Sequence, residues 1–272
     1  MKKKKFVRLG CGLDIGKDKF RACFGCIDTT GHFTVKAGRF FDNNPSDIKA
    51  FLVWLKKHLA KQNSTNELPF QVLLETTGVY HEAVCLALYE ANLPVCLEVA
   101  KRVKKYLQSI GQNSKNDKLD AQGICQMACE RKIKLWKPCS PNILKLRTAL
   151  RHRKSLVNNK TRLSNQLHAQ EYSAYTNKDI KRSIARLIKQ MEGEITKMEN
   201  LCIVLYQADE KLQKRIDPIV NSLKGVGLFT ALTVVAETNG FAQITSRKQL
   251  ASYAGYDIIE NQSGNTNKPT RI

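Results

Sequence analysis

From Ile184 to Ile216 apolar residues recur in alternating steps of four and three. Ile184, Ile188, Met191, Ile195, Met198, Cys202, Leu205, Leu212 and Ile216 hold the seam, and Asp209 occupies the one position it misses. That is an a/d heptad repeat, so the segment must be helical and must lay its stripe against a second helix. The stretch before it carries a looser stripe of Ile143, Leu146, Leu150, Val157 and Leu167. Either the two fold into an antiparallel hairpin or the seam pairs subunits; the pattern is compatible with both. Pro138 and Pro141 bracket a break ahead of the first long helix, which sets a domain boundary there. The expected division is an N-terminal domain over 1–140, a coiled-coil helical hairpin over 141–216 and a small α-helical C-terminal domain over 217–272.

The N-terminal part has a different period. Val7, Leu9, Cys11 and Leu13 alternate with Arg8, Gly10, Gly12 and Asp14, which predicts a strand ending on an acid. Lys19 to Ile27 and His32 to Phe40 are two further strands, the second after the turn Thr29-Thr30-Gly31, so the three make an antiparallel meander. Asn44-Pro45-Ser46-Asp47 opens a helix with Ile48, Phe51, Leu52 and Leu55 on one face. Phe70 to Glu75 is a short buried strand that also ends on an acid. A helix from about Val79 to Ala91, a strand at Leu93–Leu97 and two more helices follow. The order βββαβαβα is that of a mixed sheet with helices on its faces.

Asp14 and Glu75 thus close two strands at the carboxyl edge of the sheet, where open α/β sheets bind ligands. Asp117 and Asp120 are three residues apart in a segment that Ala121 to Ala128 marks as helical, so both carboxylates lie on one face, a turn apart. Two stacked acids repel each other unless a cation lies between them, and hard cations such as Mg²⁺ or Mn²⁺ prefer carboxylate oxygens. Taken alone the pair is a solvated helix face, with Lys115 and Lys118 as counter-charges. Taken with Asp14 and Glu75 it makes a four-carboxylate site for two divalent ions, about 3.5–4 Å apart in enzymes of that kind. Such a pair suits phosphodiester chemistry, because one ion activates the attacking oxygen and the other stabilises the leaving one.

Lys and Arg number 45 and Asp and Glu 24, a formal net charge of +21. An excess of that size points to a polyanion, and nucleic acid is the default partner. No apolar run is long enough to span a bilayer. The basic start Met1-Lys2-Lys3-Lys4-Lys5 leads into Phe6-Val7-Arg8-Leu9 rather than a long apolar region, so no signal peptide is expected and the protein is read as cytoplasmic. Between Arg131 and Gln170 there is no acid, but there are eleven cations: Arg131, Lys132, Lys134, Lys137, Lys145, Arg147, Arg151, Arg153, Lys154, Lys160 and Arg162. A solvated face mixes signs, so this run is expected to track phosphates. The nine cysteines are scattered, and Cys23-Phe24-Gly25-Cys26 sits in a strand, where residues three apart face opposite ways. Buried, reduced thiols are the expected state.

Near the C-terminus, Leu223-Lys224-Gly225-Val226-Gly227 leads into a helix. Its glycines permit a tight turn and leave backbone N–H groups able to hold a phosphate, so Lys224, Gly225 and Gly227 form either a helix-hairpin-helix DNA contact or a plain turn. A helix over Ser246–Ala254 precedes a polar loop, Asn261 to Lys268, that contains Ser263-Gly264.

These residues together give the chain a resemblance to the DEDD transposases of the insertion-sequence 110/1111 type, relatives of the Piv invertase. The motifs that carry it are Gly12-Leu13-Asp14-Ile15-Gly16-Lys17, Leu74-Glu75-Thr76-Thr77-Gly78, Lys115-Asn116-Asp117-Lys118-Leu119-Asp120-Ala121, Leu223 to Gly227, and Leu250 to Gly255 followed by Gln262-Ser263-Gly264. The resemblance implies a RuvC-like (RNase H fold) domain, a coiled coil and a small C-terminal domain. It implies that Asp14, Glu75, Asp117 and Asp120 are the metal-binding Asp-Glu-Asp-Asp set and that Ser263 is the nucleophile, forming a phosphoserine link to DNA. It further implies donor and target DNA as substrates, a non-coding bridge RNA that selects them, and assembly as a homo-oligomer, dimer or tetramer. Relatives continue past the Ser-Gly loop, whereas this chain stops at Ile272, so a truncated chain is expected.

Other functions compete with a recombinase. A metal-dependent nuclease of the Holliday-junction-resolvase kind would use water and need no serine. A catalytically dead nucleic-acid-binding remnant would need only the basic surface. An actin-like kinase would use Leu13-Asp14-Ile15-Gly16 as a phosphate loop, but no second phosphate loop is recognisable. Ser252 is the rival nucleophile, placed on a helix whose apolar neighbours suggest packing.

Overall fold

The computed structural model describes residues 5–62, 67–76, 78–112, 116–242, 244, 246–256, 259–263 and 266–271, the last two segments by their backbone course. Thr77, Lys115 and Gly264 of the motifs above lie outside the described residues. The chain forms two units, 1–138 and 139–272.

The first unit is built on a five-stranded sheet in the order β3-β2-β1-β4-β5. Strands β1 (Phe6–Ile15), β2 (Lys19–Asp28) and β3 (Phe33–Asp42) form the antiparallel meander. Strands β4 (Phe70–Glu75) and β5 (Val95–Glu98) run parallel to β1. Their crossover connections carry α1 (Pro45–Gln62) and α2 (Glu82–Glu90), and α3 (Ala100–Ser109) and α4 (Asp117–Glu130) follow β5. This is the order and sense expected of a RuvC-like RNase H fold.

Alternation along β1 decides which layer lies where. Leu9, Cys11, Leu13 and Ile15 point into one core, where they meet Phe20, Phe24, Phe41, Phe51, Leu55 and Leu88. Gly10 and Gly12 point the other way and let α4 lie on the sheet with almost no space between. A Cβ on Gly12 would stand 2.1 Å from the backbone nitrogen of Cys125, and one on Gly10 would stand 2.8 Å from Cys129 Sγ. The small residues Ala121, Cys125 and Ala128 form the matching face of the helix, all fully buried. All nine cysteines are free thiols, and all but Cys139 are buried. Cys23 faces α4 and Cys26 the opposite core, as their spacing in a strand requires.

The second unit opens with α5 (Pro141–Glu171) and α6 (Lys178–Gln207). Ser140 caps α5 by accepting a hydrogen bond from the Ile143 amide at 3.2 Å. The ion pairs Arg153–Glu199 and Lys160–Glu192 join α5 to α6 in antiparallel sense, so the two stripes close as an intrachain hairpin. The seam is not one helix to its end. Asp209, the position the heptad misses, caps a new helix, α7 (Glu210–Ser222), accepting from the Leu212 amide at 3.0 Å. Leu212 and Ile216 then pack with Leu146, Leu150, Cys202, Leu232 and Val235 in the unit's core. Helices α8 (Leu228–Glu237) and α9 (Arg247–Tyr253) follow. The expected polar loop over 261–268 is instead a hairpin of β6 (Ile259–Ser263) and β7 (Thr266–Arg271). It was hidden because, apart from Ile259 and Pro269, its residues are polar, so no period-2 apolar signal marks it. Among the described residues no helix is long and apolar enough to cross a membrane.

Candidate active site

Neighbouring strands put an ordered row of side chains across the carboxyl edge of the sheet. Leu13 pairs with Leu74, so one step on, Asp14 of β1 stands beside Glu75 of β4 on the face that α4 covers. Glu98 pairs with Glu75 on the far side, Arg21 of β2 pairs with Asp14, and Phe40 of β3 pairs with Arg21. The row thus runs from acid through cation to aromatic: Glu98, Glu75, Asp14, Arg21, Phe40.

Helix α4 adds the other two acids. Asn116 caps it, its Oδ1 accepting from the Leu119 amide at 2.8 Å, and Asp117 and Asp120 lie in the first turn, where the helix dipole favours negative charge. Because Gly10 and Gly12 hold α4 against β1, this first turn comes to the sheet edge. Asp14, Glu75, Asp117 and Asp120 all line one cavity of about 780 Å³. Gln112 Nε2 donates to Asp120 Oδ1 at 2.8 Å and fixes that carboxylate. Lys17, Lys19, Arg21 and Lys104 line the same cavity, so the acids stand among cations able to meet phosphate oxygens.

Four carboxylates and an amide form an oxygen-only donor set, which fits Mg²⁺ or Mn²⁺ in kind. Among the described residues, no three His, Cys, Asp or Glu side chains stand close enough to hold one ion together. The four acids line the cavity together without forming a closed cage.

The long basic run is divided by its partners. Arg151 makes two hydrogen bonds of 2.7 Å to Glu237, Arg153 binds Glu199 and lies over the Phe229 ring at 4.6 Å, and Lys160 pairs with Glu192 at 2.9 Å. Arg147 donates to the Ala236 carbonyl at 2.9 Å, and Arg131 covers the Tyr106 ring at 4.9 Å. The stretch 131–170 has no acid of its own, but α6 and α8 supply them, which the sequence order concealed. Lys132, Lys134, Lys137, Lys145, Lys154 and Arg162 remain exposed. Lys224 and Gly225 lie in a tight turn, with Gly225 at φ 87° and the Val226 amide bonded to the Leu223 carbonyl. Gly227 is the N-cap of α8, so this turn joins α7 directly to α8.

Ser263 ends β6 opposite Thr266 of β7, in the second unit. Ser252 is exposed on α9, beside the half-buried Leu250 and Ala251. Sequence reading missed Arg21, Lys104 and Gln112. For Arg21 a signal existed: in a tight β1–β2 hairpin it falls opposite Asp14 and faces the same way.

A family model described as transposase, DEDD_Tnp_IS110, matches residues 11–170, and one described as the transposase IS116/IS110/IS902 family matches residues 217–272. The chain is 25% identical over 257 residues to the pilin gene-inverting protein of Moraxella bovis, covering 93% of this chain and 73% of that protein. It is 26% identical over 201 residues to the transposase for insertion sequence element IS1111A of Coxiella burnetii, covering 64% of this chain and 53% of that one. Among solved structures it is similar to Thermus thermophilus RuvC, at 16% identity and a TM-score of 0.34 over 43% of this chain and 91% of that one. The same protein in complex with a Holliday junction substrate gives 16% identity and a TM-score of 0.33, over 44% of this chain and 90% of that one. With the first family model spanning more than half its length, the chain belongs to the IS110 family of transposases.

Proposed function

We propose that this transposase cuts and rejoins DNA strands at the cavity lined by Asp14, Glu75, Asp117 and Asp120, with Ser263 as the attacking group. The observation that carries the reading is the convergence of these four acids, from two strands and one helix, on a single cavity rimmed by cations. The four carboxylates are the residues that would hold Mg²⁺ or Mn²⁺. When bound, the metal supplies charge neutralisation at the phosphate and activation of the attacking oxygen. Gln112 holds Asp120 in place, and Lys17, Lys19, Arg21 and Lys104 draw a phosphate toward the acids and offset its charge.

In this reading Ser263 Oγ bonds to phosphorus, the phosphorus–oxygen bond to one deoxyribose breaks, and that oxygen leaves with the proton the serine released. The phosphoserine link conserves the energy of the broken ester, so reversal onto a second strand completes exchange. A serine hydroxyl needs activation to attack, and no histidine lies near it in sequence: the last is His168. The domain roles follow from this: residues 1–140 catalytic, 141–216 a helical hairpin for assembly, 217–272 a DNA-contacting domain carrying the serine. A homo-oligomer lets a serine of one copy serve the acids of another. The exposed lysines of the basic run and the Lys224–Gly227 turn suit DNA and a structured bridge RNA.

The test is a denaturing gel of the full chain incubated with element-end DNA and Mg²⁺. A covalent protein–DNA band is expected from the wild type and from Ser252→Ala, and none from Ser263→Ala or Asp120→Asn. Cut strands without any covalent band would replace this reading with a hydrolytic nuclease.

A further inference from the structure

Beyond the acids, the same sheet face continues into a second, smaller hollow. It is a groove of about 300 Å³ between α4 and strand β3, lined by Arg21, Cys23, Lys36, Gly38, Lys118 and Gln122 among others. Arg21 lines both this groove and the carboxylate cavity, so the two are neighbours that share this side chain. Helix α4 packs mainly on β1 and β2 and reaches β3 at Phe33, and Gly38 of β3 lines the groove beside it.

The cations of this groove are held ready. Gly38 carries no side chain, and a Cβ there would stand 3.0 Å from the Arg21 guanidinium, which reaches over this position. The guanidinium carbon stands 4.5 Å from the centre of the Phe40 ring, with Lys19 Nζ 5.2 Å from the same ring. Lys36 Nζ is seated 4.5 Å over the Phe6 ring. None of the ion pairs among the described residues involves Arg21, Lys36 or Lys118. Aromatic rings orient Arg21 and Lys36 without neutralising them, and Lys118 is exposed beside them, so the groove keeps positive charge for an outside anion. Phe40 itself is 44% exposed on an edge strand, at the outer end of the row that begins with the acids.

We propose that this groove holds the phosphates of the DNA strand that runs on from the cleavage position, with Arg21 at the junction and Lys36 and Lys118 beyond it. Phe40 forms the outer wall, where an unpaired base can stack on the ring or on the guanidinium beside it. The occupant is DNA because the groove adjoins, at Arg21, the cavity in which DNA is cut, and because its charged lining residues, Arg21, Lys36 and Lys118, are all cations. The inference rests on the reading of that cavity as the cutting site.

The experiment measures binding of a short mixed-sequence single-stranded DNA, and of an RNA of the same sequence, to the full chain across a salt series. Lys36→Gln and Lys118→Gln change exposed side chains and leave the fold untouched; Arg21→Gln is the third variant. Lys57→Gln, on α1 at the opposite face of the sheet, is the control. Each groove variant is expected to lower the log–log salt slope for DNA by about 0.7, and Lys57→Gln to leave it unchanged. Unchanged slopes for both lysine variants, an equal drop for Lys57→Gln, or an effect confined to RNA would overturn the proposal. The two readings fail separately. A covalent band with unaltered slopes removes the groove alone, and altered slopes without strand cutting remove the cutting site and leave the groove.

Discussion

Gly12 of β1 lies directly beneath Cys125 of α4, so close that a methyl group on the glycine would stand 2.1 Å from the Cys125 nitrogen and 2.6 Å from the Ala121 carbonyl oxygen. Both neighbours are backbone and cannot rotate aside. Gly12→Ala must therefore lift the helix, and Asp117 and Asp120 with it. The expected loss is about 3 kcal/mol, the upper end of ordinary overpacking. Chemical denaturation would show it, and a wild-type midpoint would contradict the packing described.

Gly193 makes the opposite prediction. It lies inside α6 with nothing within 4 Å of where its Cβ would be. Gly193→Ala removes backbone freedom from the unfolded chain without meeting a neighbour, so it is expected to stabilise the protein by about 0.5–1 kcal/mol. A fall in melting temperature would mean that this face of the hairpin is occupied in the assembled protein.

Asp209 separates α6 from α7. Asn142 Nδ2 donates to its Oδ2 at 3.0 Å and the Leu212 amide to its Oδ1 at 3.0 Å. These two bonds, Asn142's first, hold its carboxyl below the usual carboxylate range. A depressed folded pKa gives stability that is present above the unfolded value and lost as pH falls through the folded one. Asp209→Ala is expected to cost about 1 kcal/mol at neutral pH and to make the stability curve flatter toward acid. An undiminished acid dependence in the variant would rule out this role.

Arg153 tests how the basic run is divided. It is engaged by Glu199 and the Phe229 ring, whereas Lys145 is exposed. Arg153→Gln should destabilise by about 1–2 kcal/mol with little change in the salt slope of DNA binding. Lys145→Gln should leave stability unchanged. A stable Arg153→Gln with a lowered salt slope would return Arg153 to the DNA-binding surface.

Much of this arrangement was legible in the chain. Alternation from Val7 to Leu13 gave β1 and its terminal acid, and the three-residue spacing of Asp117 and Asp120 gave their shared helix face. What one period cannot show is which elements stack. That Gly10 and Gly12 make a bed for α4 depends on a helix more than a hundred residues away in the chain. The heptad carried the eye through Asp209, because Leu212 and Ile216 keep its phase across a helix break. Charge pairing failed to show for a similar reason: Glu192, Glu199 and Glu237 lie far in sequence from the cations they meet. The β6 and β7 segments are polar in sequence apart from Ile259 and Pro269, so no apolar alternation marks them as strands.

The account turns on Asp14, Glu75, Asp117 and Asp120 acting as one divalent-metal site. Manganese binding to the full chain, followed by the loss of free Mn²⁺ signal in electron paramagnetic resonance, tests this without any knowledge of the DNA sequence. The isosteric changes Glu75→Gln, Asp117→Asn and Asp120→Asn should each weaken Mn²⁺ binding by roughly tenfold or more. Asp18→Asn removes an acid that lines the same cavity but lies outside the set, and it should bind as the wild type does. Equal affinity in all the variants, or a loss in Asp18→Asn as large as that in Asp120→Asn, would contradict the account.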